Sequence, residues 1–372
     1  MTRIKFTDDF KDQPAVIRVI GMGGAGGNAV NRMVEADVSQ VEFITANTDA
    51  QALRRSLSPV RIQLGEKLTK GLGVGGNPAL GRQAAEESAD RLKEVVSGAD
   101  MLFITAGMGG GTGTGSAPFV AKLAKSLTPA PLVVAVVTRP FQFEGLVRAN
   151  QASAGIEELR PYVDTLLVIP NDRLFEIIDE KTPTLEAYRV ADDVLRQAMQ
   201  AITDVITTHG LVNVDFADVK SIMAGAGEAL MGIGNSSGPD RALSAARQAV
   251  QSPLLENVSI DGAKGVLINI TGNKNVTMFE VREVMDFIGS ATSAHSHVFY
   301  GQVFDESLED KLKVTVIATG FPTRVKSQAL DRTAARKQAA LQNSQAAPLP
   351  ALTSDDDLRR PAYLRLRNRK LK

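Results

Sequence analysis

The sequence contains no cysteine. That excludes disulfides and thiolate metal sites and suits a reducing compartment. Long apolar runs are also missing. The clearest, PLVVAVV at 131–137, is strand length and far short of the ~20 residues that cross a bilayer. The first ten residues, MTRIKFTDDF, hold no apolar core of signal-peptide length. A cytoplasmic, soluble protein is the expectation. The phosphate-loop pattern GxxxxGK[ST] is absent, which excludes that class of NTPase. Net charge is lacking too, with 42 basic and 42 acidic residues, but the balance is uneven along the chain. From Arg324 onward there are 12 basic and 4 acidic residues, so that segment carries +8 and the remainder −8. An acidic body argues against nucleic acid as its main ligand.

What is present is room for a core: 372 residues, 44% of them hydrophobic. From about residue 15 strand and helix patterns alternate. Runs at 16–22, 41–47, 100–108, 132–138 and 164–170 read as strands, and 28–36, 79–96, the segment after 116 and 145–159 as helices. This predicts an α/β fold, a mostly parallel sheet covered on both faces. A long helical run at 184–208 follows, with His209-Gly210 as its stop signal. Beyond it, strands at 228–234, 266–271, 296–304 and 313–320 alternate with helices at 240–250 and 278–288, a smaller C-terminal α/β domain. Ala, Gln, Ser, Pro and charges dominate 323–354, a composition that predicts disorder. Residues 355–372 carry a few apolar residues among charges, like a docking peptide with a basic tail.

The densest feature is GGGTGTGSAP at 109–118. An ordered glycine costs up to ~1 kcal/mol against alanine, so such a cluster implies a close approach to the backbone. Ser116 is placed to cap the following helix, with Pro118 in its first turn. Two further loops, GMGGAGGN (21–28) and GLGVGGNP (71–78), are equally glycine-rich. GxGxxG alone, at Gly21, Gly23 and Gly26, is a weak signal shared with tight turns. Three such loops suggest one di- or triphosphate held along its length at helix N-termini.

GGGTGTGSAP resembles the signature of the tubulin/FtsZ superfamily. GMGGAGGNAVNRM, NTDAQAL, GLGVGGNP, TRPFQFEG, IPNDRL, NVDFADV and QSPLLE resemble its FtsZ branch in the right order, over roughly residues 15–320. RRPAYLR (359–365) resembles that branch's tail peptide for membrane tethers. The resemblance implies a flexible start (1–14), a GTP-binding domain (15–183), a central helix (184–208), a catalytic loop and helix (209–226), a C-terminal domain (227–322), a linker (323–354) and a docking peptide (355–372).

It also implies residue roles. Gly109, Gly110, Gly111, Thr112, Gly113, Thr114 and Gly115 would bind the phosphates of GTP or GDP. Gly24, Ala25, Gly26, Gly27 and Asn28 would hold the nucleotide from the first loop. Val74, Gly75, Gly76 and Thr138 would lie near the γ-phosphate. Glu144 and Arg148 would form the ribose-side pair, with Asn171 next to them. Tyr188 offers a flat face, and Asp192, four residues on, can accept two N–H bonds from guanine's N1 and N2 edge, which adenine lacks. In NVDFADV, Asn213, Asp215 and Asp218 would enter the neighbouring subunit's pocket and position the attacking water; by composition alone the two acids are ordinary capping residues, with Asp215 as the cap. Mg²⁺ would offset the phosphate charge. The implied activity is assembly-activated GTP hydrolysis by a head-to-tail homopolymer forming the division ring at mid-cell. Tethers and regulators would bind at 355–366, and the basic tail would touch lipid only weakly. Arg139 stands where Lys is usual in the family, and the linker is short for it.

Other readings remain. A tubulin-like filament GTPase for plasmid segregation or cell shape would share the pocket but not RRPAYLR. An NAD-dependent oxidoreductase would use GxGxxG with Glu42 or Asp49 as its ribose acid. A serine hydrolase would use Ser236 in GNSSG, with Asp261 and His295 or His297.

Overall fold

The computed structural model describes residues 14–179, 181–207, 212, 214–255 and 260–321. Ten strands form one sheet among these residues: β1 (Ile17–Met22), β2 (Val41–Asn47), β3 (Val60–Gln63), β4 (Met101–Gly107), β5 (Leu132–Arg139), β6 (Thr165–Pro170), β7 (Gly227–Ser237), β8 (Gly265–Gly272), β9 (His297–Phe304) and β10 (Lys311–Thr319). Their order is β3-β2-β1-β4-β5-β6-β7-β10-β8-β9. Pairings from β3 to β7 are all parallel, and only β10 runs antiparallel, to β7 and to β8. The two halves of the sheet meet where Thr165, Leu166 and Leu167 pair with Gly227, Glu228 and Ala229.

The helices are α1 (Gly23–Glu35), α2 (Ala50–Arg54), α3 (Glu66–Thr69), α4 (Pro78–Glu87), α5 (Ala89–Val96), α6 (Thr112–Lys125), α7 (Leu146–Leu159), α8 (Thr184–Thr207), α9 (Phe216–Met223), α10 (Arg241–Val250) and α11 (Met278–Ala291). Alternate residues of a central strand serve different cores, because successive side chains point to opposite faces. In β5, Val134 and Val136 join one apolar cluster, and Val133, Ala135 and Val137 join another. The first cluster is completed by α8, whose Leu195, Met199, Ile202 and Val205 reach Leu267 of β8 and Ile317 of β10. At 1.5 Å per residue its 24 residues span roughly 36 Å. A third cluster lies between α10, α11 and strands β8 and β10.

Several local expectations change. The helix expected over 79–96 breaks at Ser88, whose Oγ accepts from Gly65 N and donates to the Gln63 carbonyl. The helix expected after Ser116 begins four residues earlier, at Thr112. Ser116 therefore does not cap it; its Oγ donates one turn back to the Thr112 carbonyl at 2.6 Å, and Pro118 lies inside the helix. β7 continues to Ser237, so Ser236 sits in a strand opposite Leu312 and forms no nucleophile turn. Asp215 is the N-cap of α9, but its carboxylate makes no capping bond. Asn213, the His209-Gly210 stop and the segments 1–13 and 322–372 lie outside the described residues.

Candidate functional site

Strands β1, β4, β5 and β6 run parallel and end at one edge of the sheet, where such folds hold ligands. A cavity of about 330 Å³ opens there. Its wall is built from Met22, Gly24 and Ala25 where β1 runs into α1, Gly107 to Gly113 where β4 runs into α6, and Thr138 and Pro140 at the end of β5. Glu144 and Arg148 close one side, and Asn171, Tyr188 and Asp192 another.

The glycines divide by what surrounds them. A Cβ on Gly111 would lie 2.5 Å from Val74 Cγ2, and one on Gly115 would lie 2.0 Å from the Pro78 carbonyl oxygen. These glycines let α4 and its preceding loop press against the start of α6. Gly26 is similarly needed, since its Cβ would sit 2.3 Å from the Thr105 carbonyl oxygen. At Gly24 and Gly110 a Cβ would meet nothing within 4 Å among the described residues beyond its own immediate stretch of chain. Neither has a positive φ. The protein itself does not require glycine at these two positions, and both line the cavity. Bare backbone at both positions suits the close approach of a ligand.

The walls suit an anionic ligand. The starts of α1 and α6 both face the cavity and nearly touch: a Cβ on Gly23 would be 2.9 Å from Gly113 N. Neither helix has a side-chain cap or an acid in its first turn. Their first-turn amides and positive dipole ends are left for a ligand. Asn171 is buried, and its Oδ1 has no hydrogen-bond partner among the described residues. Glu144 is fixed twice, by an ion pair to Arg148 and by accepting from Phe141 N at 3.0 Å.

Asp192 stands at the far wall. Burial pushes its carboxyl up to about 6, and the Arg32 charge and an Asn28 hydrogen bond only partly offset this. Tyr188, one turn earlier, is held by the edge of Phe141 at a ring distance of 5.6 Å. Beside it is an exposed apolar group, Phe143, Leu146, Val147, Phe175 and Leu185.

Thirteen expected residues thus meet around one cavity. Gly26, Gly27, Thr114 and Gly115 stand behind its wall, buried in packing; the Thr114 hydroxyl accepts from Gly109 N at 2.8 Å. Asn28 reaches the site through Asp192. Val74 backs Gly111, while Gly75 and Gly76 take positive φ in the open. The Gly76 carbonyl accepts from Gln151 Nε2. Sequence reasoning missed Met22, Gly107, Met108 and Pro140 as site residues, although Met22 and Pro140 lie inside motifs that it named and Gly107 and Met108 lead into the glycine cluster. Glu42 pairs with Arg18, and Asp49 caps α2, so neither offers the ribose acid of a dinucleotide site.

Asp215 and Asp218 are not in the wall. α8 carries the chain away from Asp192 for fifteen residues to Thr207, roughly 22 Å. The Met223 carbonyl at the end of α9 accepts from Thr165 Oγ1 at 2.6 Å. Thr165 is the first residue of β6, whereas Asn171 follows its last. Six strand residues, roughly 20 Å, separate that contact from the cavity. Among the described residues no three His, Asp or Glu cluster as metal ligands. The cavity's own acids are engaged, Glu144 by Arg148 and Asp192 by Asn28. The described residues therefore offer no carboxylate cage for Mg²⁺.

The model of the Tubulin/FtsZ family GTPase domain matches residues 16–179, and that of the FtsZ family C-terminal domain matches 227–322. The chain belongs to the Tubulin/FtsZ family. An empty FtsZ dimer from M. jannaschii is 45% identical, over 83% of this chain and 89% of that one, with a TM-score of 0.80. An FtsZ point mutant from the same organism is 46% identical over 83% and 92%, with a TM-score of 0.79. CetZ1 from Haloferax volcanii, a GDP-bound monomer, is 24% identical over 87% and 99%, with a TM-score of 0.72, and supports the fold alone. As a member of this family the chain is a GTP-binding GTPase with a tubulin-like fold. No described helix is long and apolar enough to cross a membrane.

Proposed function

We propose that the chain is an assembly-activated GTPase whose pocket is completed by a second copy. The first-turn amides of α1 and α6 hold the phosphates, with Thr112 and Thr138 beside them. Glu144, Arg148 and Asn171 take the ribose side. Asp192 accepts from guanine N1 and N2, and Tyr188 flanks the base. Asp215 and Asp218 of the next copy, with Asn213, orient the attacking water and take up its proton.

The observation that carries this is separation. Asp215 and Asp218 are absent from the cavity wall, and the Asp215 carboxylate makes no capping bond. Exposed Phe143, Leu146 and Val147 next to the cavity provide apolar area for a contact. A head-to-tail contact that does not close produces a filament. The relatives lend support: one FtsZ structure is a dimer, and CetZ2 from Haloferax volcanii, 21% identical, is described as a GTPγS-bound protofilament. The filament would form the division ring at mid-cell in the cytoplasm, tethered through 355–366, with Mg²⁺ carried by the phosphates. RRPAYLR favours this over a plasmid-segregating or shape-determining filament.

The test is Asp215→Ala. GTP affinity should stay within about twofold of the parent, while turnover falls by ~10²-fold or more. A variant that turns GTP over at the parental rate would remove Asp215 from the mechanism.

A further inference from the structure

The pocket's Thr112 has a partner that no role yet covers. Thr48, fully buried just after β2, places its Oγ1 2.7 Å from Thr112 Oγ1, and either oxygen could donate. Thr48 is fixed from the other side. Its carbonyl accepts from Gly73 N at 3.1 Å and from Thr69 Oγ1 at 3.3 Å. The Thr69 hydroxyl also reaches the Gly65 carbonyl, at 2.9 Å. The backbone of Thr48 is therefore pinned by the loop at 69–73, and its hydroxyl faces the first residue of α6.

We infer that Thr48 is a positioning residue for phosphate binding: it donates to Thr112 Oγ1 and so leaves the Thr112 proton for a phosphate oxygen. The inference rests on the reading that this cavity holds a phosphorylated guanine nucleotide. A hydroxyl has one proton and two lone pairs. If Thr112 donated to Thr48, it would turn lone pairs toward an anion and repel it. If Thr48 donates, Thr112 is free to donate outward, and the accepted bond polarises its O–H further. The Thr48 proton has no other acceptor among the described hydrogen bonds. A buried hydroxyl left without one is costly. With an anion in the cavity, both requirements select the same order, Thr48 to Thr112 to phosphate.

Thr48→Val keeps the shape and the main-chain bonds to Gly73 and Thr69 but removes the donor; Thr48→Ser keeps the donor. Affinities for GTP, GDP and guanosine are measured on both variants and the parent, with thermal melting alongside. Thr48→Val should bind GTP and GDP about tenfold more weakly, with guanosine, which has no phosphate, unchanged. Thr48→Ser should restore binding to within about threefold of the parent. Parental GTP affinity in Thr48→Val would overturn the inference. So would an equal loss for guanosine, which marks a merely structural role. Failure of the parent itself to bind GTP would instead remove the pocket reading beneath it.

Discussion

Burial decides the behaviour of Asp192. The unfolded chain releases this proton near 3.8, and the folded chain holds it to about 6. The folded state binds more protons between those values, so this group's contribution to stability falls as pH rises through that window. Under the proposed role of Asp192, guanine recognition would have the opposite sign, because only the carboxylate accepts two N–H bonds. GTP affinity should be flat above about pH 7 and fall below about pH 6, by up to roughly tenfold per pH unit. Asp192→Asn should flatten this part of the profile, since both proteins see the same phosphates. A profile identical in the two proteins would show that Asp192 does not meet the base. Asp204, also raised to about 6 by burial, adds to the stability effect but lies three turns further along α8, away from the cavity. Some of this was legible in the sequence: Asp192 follows Tyr188 by one helical turn. The Thr48–Thr112 bond and the unpartnered Asn171 Oδ1 were not, because both depend on contacts across the fold.

Helix α6 shows how one motif serves two purposes. Its glycine cluster reads in sequence as a ligand loop, yet Gly111 and Gly115 face other parts of the same chain. A paired substitution separates the uses. Gly115→Ala drives a Cβ into the Pro78 carbonyl and Arg82 N, backbone atoms that cannot swing aside. It should destabilise the fold by ~1–3 kcal/mol, read as a lower denaturation midpoint. Gly110→Ala meets nothing in the protein, so melting should hold while GTP binding is lost. Equal melting of the two proteins would contradict this division. The early start of α6 was hidden because glycine is a poor helix former, and tertiary packing against α4 overrides that preference. The break at Ser88 was hidden for a related reason: the pattern at 79–96 is helical throughout, and only the partners of Ser88, Gln63 at the end of β3 and Gly65 just beyond it, reveal the interruption. β3, with four residues and two of them exposed, carries too little pattern to be read.

At the scale of the whole molecule, one continuous sheet and one long helix link the nucleotide edge to the region of Asp215. Alternating strand and helix patterns made the parallel sheet legible in β1, β2, β4, β5 and β6. Its continuation through β7 was not, since three paired residues join the halves and nothing local marks them. On the proposed function this layout has a consequence: one copy would hold the nucleotide and a different copy would bring the acids. The most direct measurement is GTP turnover per molecule against protein concentration, with sedimentation in parallel. The rate should collapse below a threshold concentration and rise together with sedimenting polymer. A rate per molecule that is the same at every concentration, with no polymer present, would contradict the shared site.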